Sequence, residues 1–172
     1  MLSILKSYVI FCVFQFVLIN NVSSQAGFDI PQNIELNTRD DYAKYESKMI
    51  EAAKWLEQTD LDKETEKRQR VNKFVLQWVA GSPTINIVVH ESVTKLVGKN
   101  KQLLSIYLAN YSRYCLESKS TKDPFPANKA ALESMMNVYK KGISIKRTKE
   151  MDKLIKMTEE GKLNEYIQEN VK

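Results

Sequence analysis

The 172-residue chain is 43% hydrophobic and 27% charged, and it carries a formal net charge of +5 at neutral pH. This length and apolar content are sufficient for one domain with its own core, so they exclude a disordered chain and a disulfide-dependent miniprotein. The single histidine excludes any metal site or proton relay that needs two histidines from one chain.

Residues 1–24 have the three-part layout of a secretory signal peptide. Lys6 precedes an apolar block from Tyr8 to Ile19, and small residues follow as far as Ser24. The block holds about 12 residues, fewer than the roughly 20 that a membrane-spanning helix needs. We therefore expect cleavage before Gln25, export of the chain, and no transmembrane segment after cleavage.

The cysteines indicate the compartment. Of Cys12 and Cys115, only Cys115 would remain after cleavage, so the exported chain would have no intramolecular disulfide. Small secreted animal domains usually carry several disulfides. The sequence therefore favours a Gram-negative periplasm or cell surface over eukaryotic secretion, in which the sequon Asn110-Tyr111-Ser112 would be a formal glycosylation site.

Residues 25–37 have no helical period and are interpreted as an extended lead-in to a single helical domain at 38–172. Nearly every later segment has apolar residues at helical spacing, and the short loops between segments imply antiparallel neighbours. The predicted fold class is therefore all-α, an antiparallel helical bundle or stacked helical hairpins of about six to seven helices. No side-chain pattern recurs at the period of a tetratricopeptide-like repeat.

The first two helices have clear boundary signals. Thr38 is the predicted N-cap of a helix over 39–58, with acidic residues in its first turn. A second helix is expected to begin near Asp60 or Asp62. It is expected to end at Gly81, as a left-handed C-terminal residue.

Residues 82–97 fit two structures. As a helix, Ser82 is the N-cap and Pro83 occupies the first turn, where its missing N–H costs nothing. As a strand, the β-branched residues at 84–89 alternate between two faces. The helical interpretation is favoured because the chain offers little to pair with a strand, and a short extended segment at 84–89 is the alternative.

N-cap residues, prolines and glycines mark the boundaries of the remaining predicted helices. Asn100 is the predicted N-cap of a long helix that ends near Glu117, and Thr148 is the predicted N-cap of a later one. The other boundary signals are Gly98, Pro124, Pro126, Gly142 and Gly161, followed by a short seventh helix through Leu163, Tyr166 and Ile167.

Few residues suggest catalysis. Cys115 lies on the apolar stripe of its helix, so we interpret it as a buried core residue rather than the nucleophile of a pair with His90. The tyrosines at 107, 111, 114 and 139 are typical of core rings with hydroxyl groups at the rim. No cofactor or metal site is predicted, and the protein is not expected to be an enzyme.

Charge is the most localised feature of the sequence. Residues 140–156 hold seven basic side chains and two acidic ones. Such a segment attracts polyanions. The candidate contact residues for an anion or a partner are Lys140, Lys141, Lys146, Arg147 and Lys149.

These features predict a small exported helical binding protein. Its expected partner is an unidentified protein or an anionic envelope polymer, because export makes nucleic acid the least suitable polyanion. A periplasmic chaperone-like protein is the first alternative, and a small helical hydrolase is the second.

Overall fold

The computed structural model describes residues 28–171, and within that range the chain forms eight helices and no strand. The all-α prediction is therefore confirmed. The predicted signal peptide at 1–24 and the first residues of the lead-in lie outside the described range. The helices are α1 Arg39–Lys44, α2 Glu46–Gln58, α3 Thr65–Gly81, α4 Glu91–Val97, α5 Gln102–Ser118, α6 Pro124–Lys141, α7 Lys149–Glu159 and α8 Leu163–Asn170. None of these eight helices is long and apolar enough to cross a membrane.

Helix α5 lies at the centre of the bundle, where it contacts α2, α3, α4 and α6. Its sequence contains few charges, and most of its length is buried. Trp78 from α3, Tyr107 from α5 and Tyr139 from α6 are among the largest fully buried side chains. The burial of apolar surface around α5 is the main stabilising contribution, at roughly 25 cal/mol for each Å² removed from water.

The predicted helix over 39–58 is interrupted at Tyr45, so it forms α1 and α2. Thr38 is the N-cap of α1 as predicted, in a capping box in which its N–H donates to Asp41 Oδ2 at 2.8 Å. At the interruption, the Tyr42 carbonyl accepts from the Tyr45 N–H and from the indole Nε1–H of Trp78 at 3.2 Å. A tertiary hydrogen bond thus takes the place of a helical one, and spacing along the chain cannot show this.

Helix α3 begins at Thr65, later than predicted, because residues 60–63 form a turn closed by the Lys63 N–H and the Asp60 carbonyl, and Glu64 is left-handed. Arg68 is only 3% exposed, and its Nη2 donates to the carbonyls of Thr59 and Asp60 at 2.6 and 3.0 Å. The guanidinium also lies 5.1 Å from the centre of the Trp55 ring. A buried cation therefore satisfies carbonyls just beyond the C-terminus of α2, where the helix dipole favours positive charge.

The prediction that Gly81 is left-handed is wrong. The glycines with positive φ among the described residues are Gly98, Gly142 and Gly161, which end α4, α6 and α7 close to the predicted positions. Gly81 instead belongs to the last turn of α3, where a Cβ atom would overlap the phenol oxygen of Tyr42. Glycine fits at this position because the Tyr42 side chain of α1 occupies the space that a Cβ atom would need.

The favoured helix over 82–97 is also wrong in its first half, since α4 begins only at Glu91. Ser82 Oγ accepts from the Ile85 N–H at 3.2 Å, which forms a local turn but not a helix. Beyond it, Ile85 is buried while Val88 and Val89 are 61% and 39% exposed. The β-branched residues favour extended backbone, and between 28 and 171 no second strand pairs with them.

Candidate functional site

The basic segment 140–156 comprises the end of α6, the turn at 142–148 and most of α7, and Tyr139 holds the turn. This side chain is fully buried, and its hydroxyl group accepts from the Thr148 N–H at 2.7 Å and donates to Asp152 Oδ1 at 3.1 Å. Thr148 is the N-cap of α7 as predicted, with its side chain accepting from the Met151 N–H. The turn therefore has a fixed position against the bundle.

Three of the five predicted contact residues are engaged within the molecule. Arg147 forms a 2.7 Å ion pair with Asp152 and lies 4.8 Å from the centre of the Tyr139 ring. Lys140 forms a longer ion pair, 3.7 Å, with Glu159. These contacts offset part of the positive charge that the sequence concentrates in this segment.

Lys141 is the most strongly held of the three. Its Nζ donates to the carbonyls of Glu57 and Gln58 at 3.1 and 3.0 Å, and it lies 3.3 Å from Asp60 Oδ1. The ammonium group thus satisfies carbonyls at the end of α2, as the guanidinium of Arg68 does. Its contacts are those of a helix cap contributed by another helix.

Lys146 and Lys149 are exposed, and neither forms a salt bridge with another residue of the described range 28–171. Lys149 is the first residue of α7, so its charge adds to the positive end of the helix dipole. These two residues are the part of the predicted site that remains available to an external anion.

Asn100 determines what lies beside Lys146. Its Nδ2 donates to the Lys146 carbonyl and its Oδ1 accepts from the Lys146 N–H, both at 2.8 Å. Asn100 is 7% exposed, and its side chain makes no capping bond to α5. The prediction that it caps α5 is therefore wrong, because its amide pairs with a backbone 46 residues away.

This pairing brings two further lysines to the site. Lys99 and Lys101 flank Asn100, are exposed, and have no ion-pair partner among the residues that the structure describes. We define the lysine cluster as Lys99, Lys101, Lys146 and Lys149. Sequence reasoning missed the first two because they belong to a different turn; the only local signal was a pair of lysines around a predicted cap.

The residues considered for catalysis lie in the core. Cys115 is 3% exposed, and burial raises the pKa of its thiol to about 11, so the nucleophilic thiolate is scarce at neutral pH. The rings of Tyr107, Tyr111 and Tyr139 are buried, as the core interpretation predicted, and Tyr114 is partly buried. The Tyr107 hydroxyl group lies inside the core and not at its rim, because it donates to Asn128 Oδ1. Asn110 is also fully buried and donates to the Ile106 carbonyl at 3.0 Å, so the sequon is inaccessible in the folded domain.

Between residues 28 and 171, no group of three or more histidine, cysteine or acidic side chains is arranged to hold a metal ion. The sequence has no significant match to a protein-family model, to a curated protein or to a solved structure.

Proposed function

We propose that the protein is an exported binding protein that contacts an anionic envelope polymer through the lysine cluster. The observation that supports this most directly is the pair of hydrogen bonds between Asn100 and Lys146. These bonds hold two lysine-bearing turns together at one place on the surface. The signal-peptide layout of residues 1–24 supports the exported location.

The physical case rests on four ammonium groups that have no carboxylate partner among residues 28–171. Partial neutralisation by a polyanion releases bound counterions and relieves the repulsion among the lysines. Near an anionic surface each lysine contributes about 1 kcal/mol, so four lysines acting together would raise affinity by up to about a thousandfold at low salt. Such binding weakens steeply as salt is added.

The test compares two variants with the same net charge. In the cluster variant, Lys99, Lys101, Lys146 and Lys149 are replaced by glutamine. In the control variant, glutamine replaces four other exposed lysines, which are Lys44, Lys73, Lys119 and Lys122. Binding is measured at low salt to vesicles of phosphatidylglycerol and phosphatidylcholine, and separately to immobilised lipopolysaccharide and to polyglutamate.

We expect the cluster variant to lose most of its binding to at least one of these anions, and the control variant to keep most of it. If the parent protein binds only the vesicles, its partner is a lipid surface. If it binds lipopolysaccharide or polyglutamate, its partner is a polymer. Equal losses in the two variants would mean that only net charge matters, and the cluster proposal would then be wrong. Binding unchanged in both variants, or absent in the parent protein, would also contradict it.

A further inference from the structure

The lead-in to the helical domain crosses a face formed by α2 and α3. From Phe28 to Asn37 it contains neither helix nor strand, and it bends at residues 32–33. Ile30, at 4% exposed, is the one buried residue of this segment. We define the strap as residues 28–36, and the strap face as the surface of α2 and α3 that these residues cover.

Phe28 occupies an aromatic and cationic site on the strap face. The centre of its ring lies 6.0 Å from that of Trp55, within the range of aromatic pairs. The ammonium groups of Lys48 and Lys67 lie 5.7 and 5.6 Å from the same ring centre, at the distance of cation–π contacts. This site therefore favours an aromatic ring over an aliphatic side chain.

The next two residues of the strap have equally defined places. Asp29 Oδ1 forms an ion pair with Arg70 Nη2 at 3.6 Å. Ile30 follows and packs into the hydrophobic core. The strap face therefore fits an extended segment that presents an aromatic, an acidic and an aliphatic residue in succession.

The remainder of the strap is held loosely. Residues 31–36 form no hydrogen bond with another residue of the described range 28–171. An open cleft of about 560 Å³ lies between residues 30–35 and α3, and a second of about 460 Å³ lies beside Leu36. Segments without backbone hydrogen bonds and with few buried contacts open at low free energy. The strap can therefore leave the face by a change of backbone conformation at the bend.

We propose that the strap face docks the strap of a second copy of this chain, so that two copies exchange the segment Phe28–Ile30. A strap from a second copy carries the same three side chains and makes the same contacts. The closed monomer and the exchanged dimer therefore differ mainly in the cost of association and in the bend. When the bend straightens, the chain from Ile34 to Phe28 spans up to about 20 Å, enough to reach a neighbouring molecule.

The covalent link sets the concentration at which exchange competes with closure. A segment on a short flexible linker has an effective concentration of roughly 1 mM at its own site. Exchange in the parent protein should therefore become appreciable only as its concentration approaches that value. The strap and the strap face share no residue with the lysine cluster, so this inference does not rest on the proposed polyanion contact.

The first experiment asks whether the strap face binds a strap that belongs to another molecule. It uses the chain from Gln25 onward, which keeps every residue of the described domain. Phe28→Ser combined with Ile30→Ser removes both apolar anchors and so releases the strap. The probe is a peptide of residues 25–34 with a fluorescent label at its C-terminus, and the control peptide carries the same two serines.

We expect the fluorescence anisotropy of the natural peptide to rise saturably when the released variant is added. The parent protein should bind this peptide at least tenfold more weakly, because its own strap occupies the face. The control peptide should not bind. Equal binding of the two peptides to the released variant, or no binding of either, would overturn the proposal.

The second experiment tests exchange between copies with substitutions at exposed positions. The side chains of Asp29 and Arg70 are 64% and 44% exposed, so neither substitution should unfold the domain. Asp29→Lys and Arg70→Glu each place like charges across the contact within one chain. In an exchanged pair of these two variants, both contacts join opposite charges. The double variant Asp29→Lys/Arg70→Glu restores the pair within one chain and is the control.

The oligomeric state is measured at low salt by sedimentation equilibrium, up to a protein concentration of about 1 mM. We expect the mixture of the two variants to form heterodimers at a concentration about tenfold lower than that at which either variant dimerises alone, and the control to behave as the parent protein does. A mixture that dimerises no more readily than its components would overturn the proposal. Peptide binding without heterodimers would assign the face to a segment of another protein, and exchange between copies would then be wrong.

Discussion

Replacing Asn100 with alanine tests the junction on which the lysine cluster depends. The substitution removes two hydrogen bonds of 2.8 Å to the backbone of Lys146, at a position only 7% exposed. Each bond contributes about 1 kcal/mol net, and a backbone group left without a partner adds to the loss. We expect the free energy of unfolding to fall by about 2–3 kcal/mol, which corresponds to a Tm lower by about 6–9 °C for a domain of this size.

The measurement is urea unfolding followed by tryptophan fluorescence, together with thermal melting by circular dichroism. Asn164→Ala is the matched control, because Asn164 is exposed in α8 and its substitution should change stability by less than about 0.5 kcal/mol. Asn100→Ala does not alter the charge of the protein, so weaker binding to polyanions would report the loss of lysine placement. A stability change as small as that of the control would show that the Asn100–Lys146 bonds do not hold the two turns together.

Three further predictions concern other parts of the fold. Burial raises the pKa of the Cys115 thiol to about 11 from an ordinary value of 9.0, so alkylation by iodoacetamide at pH 8 should be about a hundredfold slower in the native protein than in urea; equal rates would contradict its burial. Hydrogen bonds from the backbone and side chain of Thr38 lower the pKa of Asp41 from 3.8, so its stabilising contribution is present above about pH 4 and lost as the pH falls through the folded-state pKa. Asp41→Ala should therefore be destabilised in urea titrations at pH 6, and its difference from the parent protein should shrink as the pH falls through the folded-state pKa of Asp41, whereas a constant difference would refute the assignment. Gly81→Ala should be less favourable in the parent protein, where the new Cβ atom meets the Tyr42 hydroxyl group, than in a Tyr42→Ala background; a double-mutant cycle measures the difference, and equal effects in the two backgrounds would refute the close approach.

Much of the fold was predictable because it depends on neighbours along the chain. Thr38 and Thr148 cap the helices that they were expected to cap, and Gly142 and Gly161 end helices in the left-handed conformation. Each of these signals acts within one helical turn. They are therefore fully visible in the sequence.

The errors have tertiary causes. The interruption at Tyr45 accompanies a hydrogen bond from the Trp78 indole to the Tyr42 carbonyl, and no local pattern contains that contact. The segment from 84 to 90 fits the period of a helix and also that of an extended chain, so spacing alone does not decide between them. In the fold the segment is extended and buries Ile85, whereas Val88 and Val89 stay exposed.

The candidate site shows the same limit in its charges. A count along the sequence locates the basic turn before α7, but the partners of Lys140 and Lys141 come from α7 and from the end of α2. The count also omits Lys99 and Lys101, which reach the site only through Asn100. The net charge of a sequence segment therefore counts cations that are paired within the fold, and it omits cations that other segments bring to the same surface.

The paired cations near the cluster differ in how readily an external anion could recruit them. The ion pair of Lys140 with Glu159 is exposed and 3.7 Å long, and exposed pairs of this kind are worth about 0–1 kcal/mol. A polyanion can replace such a partner at little cost. Lys141 also donates to two carbonyls at the end of α2, so removing it from these contacts would leave the helix end unsatisfied. Neutralising both lysines together would therefore mix an effect on binding with an effect on folding, so a test of the proposed polyanion contact should leave Lys141 unchanged.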